Sequence, residues 1–479
     1  MSPTTSSDAA DPPRNFHVLI VGAGLGGLLM AILLDKAGIS FELFEKAEKI
    51  KPLGAALSLA ANILPVFEQL GILEEVMALS YPSKSIEMLK EDGSKIGAFS
   101  FLEYKAKSGY DVICFARAAL YDLMLSKIPP KNVHMKKRVL SVTQSEDGVL
   151  IRTQDGGVHH GEILIGADGA YSAVRTNLYE MLSKENKLPR SDAQGLDVAY
   201  SCLLGTTEPL DPEKYPMLKD KESHFLQVLG KDKPHSWYVI TVPNNVVCWA
   251  VFMQIGQSEE VKEQMQRNSS WDADRNQDMI KEVYNFSNPI GGVLGELIDA
   301  TDRNNISKVF LEEKLFETWH GGRTVLIGDA IHKFLPAGGQ GAMAAMQDAV
   351  ILANCLYDMY EPNYKNVRAA FKDYKAQRES HVKFSMERSV TMGKLMFGQK
   401  FLERQMRKLV YNMPVWLQSK SYLKMCEYRP QVMFLPQAPN PGSLPVLPQK
   451  PCKRYNPKAA SEPATEPAVE TLETTTVAA

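Results

Sequence analysis

An α/β fold is predicted, with a parallel sheet interrupted by a second, mostly antiparallel sheet and followed by C-terminal helices. Three observations predict it. An apolar run near the start of the chain stops on glycine and opens a helix; two later apolar runs end the same way; and between those two lies a block whose hydrophobic period changes to that of short strands. The 479 residues accommodate two or three domains of ~150 residues each. Hydrophobic residues at 44% and charged residues at 23% suit a globular protein with a substantial core.

Taken in order, residues 1–15 are rich in Ser, Thr, Asp and Pro and read as a flexible leader. HVLIVGAG, from His17, is a buried strand ending on glycine, and LGGLLMAILLDKAG is a helix that closes on Gly38. ISFELFE is a second strand, completing a strand–helix–strand unit of the kind that builds parallel sheets with ligands at the strands' carboxyl ends. IEMLKEDGSKIGAFSF reads as a hairpin around Glu91-Asp92-Gly93. ARAALYDLMLSKI is a helix with Leu120, Leu123, Met124 and Ile128 on one face, and GEILIGADGA is another strand ending in glycine.

From about 197 to 255, DVAYSCLLG, HFLQVLG, SWYVITVP and VVCWAVFMQI are short strands split by Gly, Pro and Asn, with Pro243-Asn244-Asn245 as a hairpin turn. RTVLIGDA returns to the parallel-strand style, and QGAMAAMQDAVILANCLYDM is a long helix. Residues 361–425 are helical, with fourteen Lys/Arg against five Asp/Glu. That imbalance is either a solvated face or a basic amphipathic surface making peripheral membrane contact. Nine prolines from 436 onward describe a disordered tail. The expected organisation is a leader (1–15), a discontinuous nucleotide domain (16–180 and 310–385), an inserted sheet domain (181–309), C-terminal helices (386–435) and the tail (436–479).

A formal charge of −2 argues against a nucleic-acid binder. Six cysteines in no CxxC pair and no ladder with histidines argue against a disulfide scaffold and against a metal site. The N-terminus lacks a signal-type apolar core, and no run reaches the ~20 apolar residues of a spanning helix. The expected location is cytoplasmic, and the Asn-x-Ser triplets at Asn268, Asn285 and Asn305 are discounted accordingly.

Gly22-Ala23-Gly24-Leu25-Gly26-Gly27 supplies Gly-x-Gly-x-x-Gly between a strand and a helix. Gly22 permits the tight turn, Gly24 lets a pyrophosphate approach the backbone, and Gly27 lets helix meet strand, with the helix N-terminus facing the anion. Glu45, at the end of the second strand, can accept from adenosine ribose hydroxyls and would repel a 2′-phosphate. These residues define a Rossmann-like dinucleotide site that is not for NADP, and leave FAD and NAD open.

Two later segments bear on that choice. Gly166-Ala167-Asp168-Gly169, followed by Ser172 and Arg175, and Gly328-Asp329-Ala330, followed by Pro336, Gly338, Gly339, Gln340 and Gly341, resemble the other two fingerprints of flavoprotein monooxygenases of the para-hydroxybenzoate hydroxylase type. The resemblance covers roughly residues 16–385 and is greatest to fungal FAD-dependent monooxygenases of secondary metabolism, with Tyr-Arg-Pro-Gln at 428–431 adding to it. It implies non-covalent FAD held by Gly22, Gly24, Gly27, Glu45, Lys46, Gly54, Arg117, Asp168, Asp329, Gly341 and Ala342, with Arg117 near the pyrophosphate and Gly54 beside the flavin. Asp168 and Asp329 could each also be ordinary helix N-caps. His332, in GDAIHKF, is expected to pack or hydrogen-bond rather than act as a base.

The resemblance further implies that NADPH, bound transiently in a surface groove, reduces FAD. O2 then gives a C4a-hydroperoxide whose distal oxygen hydroxylates or epoxidises a small hydrophobic substrate, a polyketide or terpenoid. The apolar block 197–255 would exclude water. Tyr238 lies near the place where some relatives carry an active-site tyrosine and is the candidate catalytic residue. An arginine that some phenol-hydroxylating relatives use early in this sheet has no counterpart in DVAYSCLLGTTEPL, which favours a non-phenolic substrate. Three alternatives stand beside this reading. A flavin-dependent halogenase would carry Trp-x-Trp-x-Ile-Pro, which Trp-Tyr-Val-Ile-Thr-Val-Pro at 237–243 does not meet. A prenyl-chain reductase would need no O2, and a non-catalytic FAD-binding scaffold would bind flavin without oxidising NADPH.

Overall fold

The computed structural model describes residues 14–49, 56–231, 233–254, 277–398 and 400–454. Its first sheet has six strands in the order His320–Gly321, Thr324–Leu326, Ile163–Gly166, Arg14–Val21, Ile39–Phe44, Val133–His134, parallel apart from the first pair. Val18, Leu19, Ile20, Ile163, Leu164 and Ile165 are fully buried, with the helix Leu25–Lys36 and the three-stranded sheet of Val139–Gln144, Val149–Thr153 and Val158–Gly161 among the elements packed on these strands, which is why they read as continuous apolar runs. The helix Leu25–Lys36 is buried from Leu25 to Leu34 and packs against Gly341–Tyr357. Gly26 makes that approach possible: a Cβ there would lie 3.1 Å from the Ala345 carbonyl oxygen. The first strand begins at Arg14, inside the span expected to be a leader.

The second large sheet has eight strands, ordered His332–Lys333, Ser307–Leu315, Asp197–Thr206, Val246–Gln254, His235–Val242, Phe225–Leu229, Ser85–Lys90, Lys95–Ser100. Asn244 and Asn245, at φ of 67° and 59°, make the turn that joins two of them, as the Pro-Asn-Asn sequence leads one to expect. One boundary differs from the sequence reading. The hairpin 85–100 joins this sheet, through parallel pairing of Ser85–Lys90 with Phe225–Leu229, instead of staying with the nucleotide domain. Periodicity identifies a strand but not its partner in a distant part of the chain.

Alternation along these strands sends two sets of side chains to opposite faces. Trp237, Val239, Trp249, Val251 and Leu203 lie under the helices Gln277–Val283 and Leu294–Asp299. Both indoles are satisfied, Trp237 donating to the Ser287 carbonyl and Trp249 to the Thr301 hydroxyl. Tyr200, Cys202, Tyr238, Ala250 and Phe252 face the other way, onto Leu335, Ala337, Met392, Met396 and Phe397. The apolar sheet therefore faces the loop that opens the helix Gly341–Tyr357.

Two further boundaries shift. A single helix, Tyr364–Phe397, runs through the expected break at 385/386. The segment from 436, expected to be disordered, is described as far as 454 and is held at several points: Asn440 accepts from Arg429, Leu444 N–H donates to the Lys107 carbonyl, and Lys450 pairs with Asp373 at 2.6 Å. Proline content marked the absence of regular structure there, not the absence of contacts. Residues 455–479 lie outside the described residues, as does the expected leader up to residue 13.

Candidate flavin site and the chamber above it

Register brings the three glycine loops together. Val21 pairs with Gly166, and Gly166 with Leu326, so three adjacent parallel strands end at one level. The chain then leaves each strand through Gly22, Ala167-Asp168 and Gly328. Gly22 has φ +105°, and a Cβ there would lie 2.4 Å from the Ala167 carbonyl oxygen. At Gly27 a Cβ would lie 2.0 Å from the Gly22 carbonyl oxygen. Both are thus required by the fold itself. Gly24 differs: its nearest neighbour to a Cβ is 3.8 Å away, and Gly341 has nothing within 4 Å. These two glycines keep open space at the starts of Leu25–Lys36 and Gly341–Tyr357, neither of which has a side-chain cap. Uncapped helix N-termini present free N–H groups and partial positive charge to an anion.

Arg117, the first residue of Arg117–Ser126, donates to the Tyr121 hydroxyl at 3.0 Å, but its Nε is buried without a partner. Tyr121, with a contribution from Asp329, holds its guanidinium above the usual pKa. A fixed cation with an orphaned donor fits a pyrophosphate oxygen. Glu45 accepts from Ala23 N–H at 2.9 Å and Ala47 N–H at 2.8 Å, one bond per oxygen, leaving lone pairs for ribose hydroxyls. Lys46 is exposed beside it, Ala342 sits half-buried in the first turn of Gly341–Tyr357, and Gly54 lies outside the described residues. These features fit FAD.

The two aspartates take different roles. Asp168 accepts from Ser172 Oγ at 2.5 Å and from the N–H groups of Ala173 and Val174, so its carboxylate caps the helix Ala173–Lys184. Burial pushes its pKa up. These bonds tie the second glycine loop to the start of that helix, whose N-cap residue is Ser172. Asp329 caps no α-helix and pairs with Lys333 at 2.6 Å. Burial alone would raise its pKa, but Lys333, His332 and Arg117 outweigh it and hold the carboxyl below its ordinary value.

Two arrangements escaped the sequence reading. Arg175 donates to the Ala330 carbonyl at 2.9 Å and to the Ala170 carbonyl at 2.5 Å, and lies 4.3 Å over the Phe316 ring. It staples the second glycine loop to the third. Beneath them, fully buried Asp348 accepts from Gly328 N–H at 2.9 Å, binds His332 Nε2 at 2.6 Å and accepts from Arg378 Nε at 2.8 Å. His332 accordingly has the hydrogen-bonding role expected of it. The one sequence signal for this network was Gln347-Asp348 within an otherwise apolar helix.

Above the loops, Tyr238 packs on Phe225 and Phe252 at ring separations of 5.3 and 5.5 Å. Burial holds its hydroxyl well above the ordinary pKa, so at neutral pH it is a hydrogen-bond donor and not a base. Directly across the strand pair lies Gln227, fully buried, with neither its Oε1 nor its Nε2 hydrogen-bonded. Burial likewise pushes the Cys114 and Cys248 thiols up to about 12, so neither supplies a thiolate. A small cavity lies between Ile86 and Phe99 on the sheet, the loop at Ala337 and Gln340, and Met392 and Tyr422. Among the described residues no group of three or more His, Cys, Asp or Glu is placed to hold a metal, and no helix is long and apolar enough to cross a membrane.

The fold and site define a flavin-dependent oxidoreductase, and comparison with known proteins agrees. Residues 15–389 match the FAD binding domain family, and the chain belongs to that family. It is 27% identical over 392 residues to the FAD-dependent monooxygenase ausM of Aspergillus calidoustus, covering 80% of each chain. It is 29% identical over 381 residues to the FAD-dependent monooxygenase paxM of Penicillium paxilli, covering 77% of this chain and 76% of that one. Among solved structures, Klebsiella pneumoniae HpxO complexed with FAD and uric acid superposes with a TM-score of 0.68 at 22% identity, over 87% of this chain and 97% of the other. The protein is an FAD-dependent monooxygenase.

Proposed function

We propose that the protein transfers one atom of O2 to a hydrophobic fungal secondary metabolite, a polyketide or terpenoid, with NADPH as reductant. The observation that carries this reading is the apolar sheet face set over the junction of the three glycine loops. Bound FAD would supply the redox chemistry, taking electrons from NADPH and passing them to O2. The chain's own contribution is binding, orientation and exclusion of water. Arg117 and the helix starts at Gly24 and Gly341 hold the cofactor's charged and polar edges, and Glu45 holds its ribose. Tyr200, Cys202, Ala250 and Phe252 keep water from the reacting face. Tyr238 and Gln227 offer the substrate a phenol donor and an unused amide, which favours hydroxyl- or carbonyl-bearing substrates held in a fixed pose. Among the described residues this face carries no base, which favours attack on an electron-rich carbon, such as an alkene, over activation of a phenol. The basic C-terminal helices support peripheral membrane contact.

The test is an anaerobic mixture of the purified protein with NADPH, followed in the visible spectrum. Oxidised flavin should bleach and recover on admitting air. A protein that binds FAD yet never oxidises NADPH with any hydrophobic substrate would be a scaffold, and this reading would be wrong.

A further inference from the structure

The helix Phe401–Tyr411 is turned inside out. A surface helix ordinarily buries its apolar stripe. Here the residues turned inward are Arg407, which donates to the Leu395 and Gly398 carbonyls, and Tyr411. Phe401, Leu402, Met406 and Leu409 are between 53% and 74% exposed. At 100° per residue these four fall within an arc of about 140° opposite Arg407 and Tyr411. The next helix, Val415–Met425, continues the exposure with Val415, Trp416 (61%) and Leu417. Singly exposed apolar residues need no explanation, but seven within seventeen residues make a patch.

The charge around the patch is predominantly positive. Lys400, Arg404, Lys408, Lys420 and Lys424 are exposed, whereas Glu403 is half-buried and accepts from the Lys400 N–H. Lys107 (paired with Glu103), Lys420 and Lys424 line a groove of about 330 Å3 with Trp416, Leu423 and a single lining acid, Glu427. A second copy of this chain would suit the apolar side chains but would set lysine against lysine. An anionic lipid surface suits both, because aromatic and aliphatic side chains enter the headgroup–acyl boundary while ammoniums meet phosphates.

We propose that the helices Phe401–Tyr411 and Val415–Met425 dock the protein on an anionic membrane surface. The docking has a consequence for the substrate, which rests on the function proposed above. The other side of these helices, through Tyr411, Tyr422 and Met425, walls the small cavity beside Ala337 and Gln340. A bilayer-dissolved substrate would reach that cavity past this wall.

The test uses the full FAD-loaded chain, sedimented with vesicles of phosphatidylcholine alone or mixed with phosphatidylserine. Binding is expected to the mixed vesicles, at least about tenfold above the neutral ones and falling with salt. Leu402→Asp/Leu409→Asp should lower binding at least about tenfold, and Lys420→Gln/Lys424→Gln should remove the phosphatidylserine preference. Leu140→Asp, at an exposed leucine elsewhere, should change nothing. All four altered side chains of the test variants are exposed, so each variant should keep the flavin spectrum. A chain that stays in the supernatant with both vesicles at low salt overturns the proposal. So does equal binding by the Leu402→Asp/Leu409→Asp variant, or a vesicle-free dimer that this variant converts to monomer. Vesicle binding by a protein that oxidises no NADPH would sink the proposed function and leave the docking intact.

Discussion

Asp348→Asn replaces one oxygen of a fully buried carboxylate that holds the third glycine loop. In the native protein Oδ2 receives Gly328 N–H and His332 Nε2, and Oδ1 receives Arg378 Nε. Burial by itself would raise the Asp348 pKa, but His332 and Arg378 overcome it and hold the carboxyl below its ordinary value, so the partner of Arg378 is an anion. An asparagine has one acceptor oxygen. Turned toward Gly328 it points an amide N–H at Arg378 Nε; flipped, it points one at Gly328 N–H. Either way Arg378, only 1% exposed, loses its counter-charge and keeps bonds to Gln347 Oε1 and the Ala344 carbonyl, both at 3.2 Å. Removing one partner of a buried ion pair costs about 3–5 kcal/mol, and the two remaining acceptors put this case near 3. At about 1 °C per kcal/mol for a folded chain of this size, the melting midpoint should fall by about 3 °C.

The assay is thermal unfolding with saturating FAD, alongside the FAD dissociation constant at about 25 °C, a temperature at which the variant is still folded. Affinity should weaken as well, because the Gly328 loop is held from below by this carboxylate. Adding Arg378→Met removes the stranded cation, so the double variant should be less destabilised than the sum of the singles by at least about 1 kcal/mol. A D348N protein that melts within about 1 °C of the parent, with strictly additive singles, would refute the assignment of this network as a charged one, a threshold set below the expected shift of about 3 °C.

Gly24→Ala and Gly27→Ala should separate binding from folding. The first adds a Cβ with its nearest neighbour at 3.8 Å, so the apo-protein's melting point should hold while FAD affinity falls; the second drives a Cβ to 2.0 Å from a backbone oxygen and should cost soluble expression. Gln227→Met removes a buried amide with no partners and should leave stability unchanged or raise it by up to about 1–3 kcal/mol, while raising KM for the natural substrate; unchanged KM would remove Gln227 from the substrate's surroundings. Stability should fall on acidification below about pH 6.5. Burial, with Lys375 and Arg368, depresses His320 to about 4, and burial with Arg378 depresses His381 to about 4. The unfolded chain therefore takes up protons first, and the stability present above the unfolded pKa is lost as pH falls toward the folded one, by about 1–3 kcal/mol for His320 and by less for half-buried His381, whose shift solvent screens. Urea titrations from about pH 7.5 to about 4.5, with His320→Gln flattening the slope, measure it.

What the sequence makes legible here is whatever a short window can encode. Gly22–Gly27, Asp168-Gly169 and Gly328–Gly341 are local patterns, and register then places them together because three strands of the same parallel sheet end at one level. The Pro-Asn-Asn turn is equally local. Asp348 and Arg378 are thirty residues apart on two helices, and only the apolar company of Asp348 hinted that it must find a buried partner. Asp168 is the converse: its motif points to cofactor, yet Ser172, Ala173 and Val174 within six residues claim its oxygens for a cap. A pattern records which residue type the site needs, not which of that residue's atoms reach the ligand. The outward face of Phe401–Tyr411 makes the same point on a larger scale. Its pattern is amphipathic in sequence, and amphipathicity by itself would assign the apolar side to the core. The assignment reverses because Arg407 finds two backbone carbonyls inside, a tertiary satisfaction that hydrophobic periodicity does not register. Where a buried cation orients a helix, the apolar stripe is left to find its own partner, and that is the physical reason to look for one outside the chain.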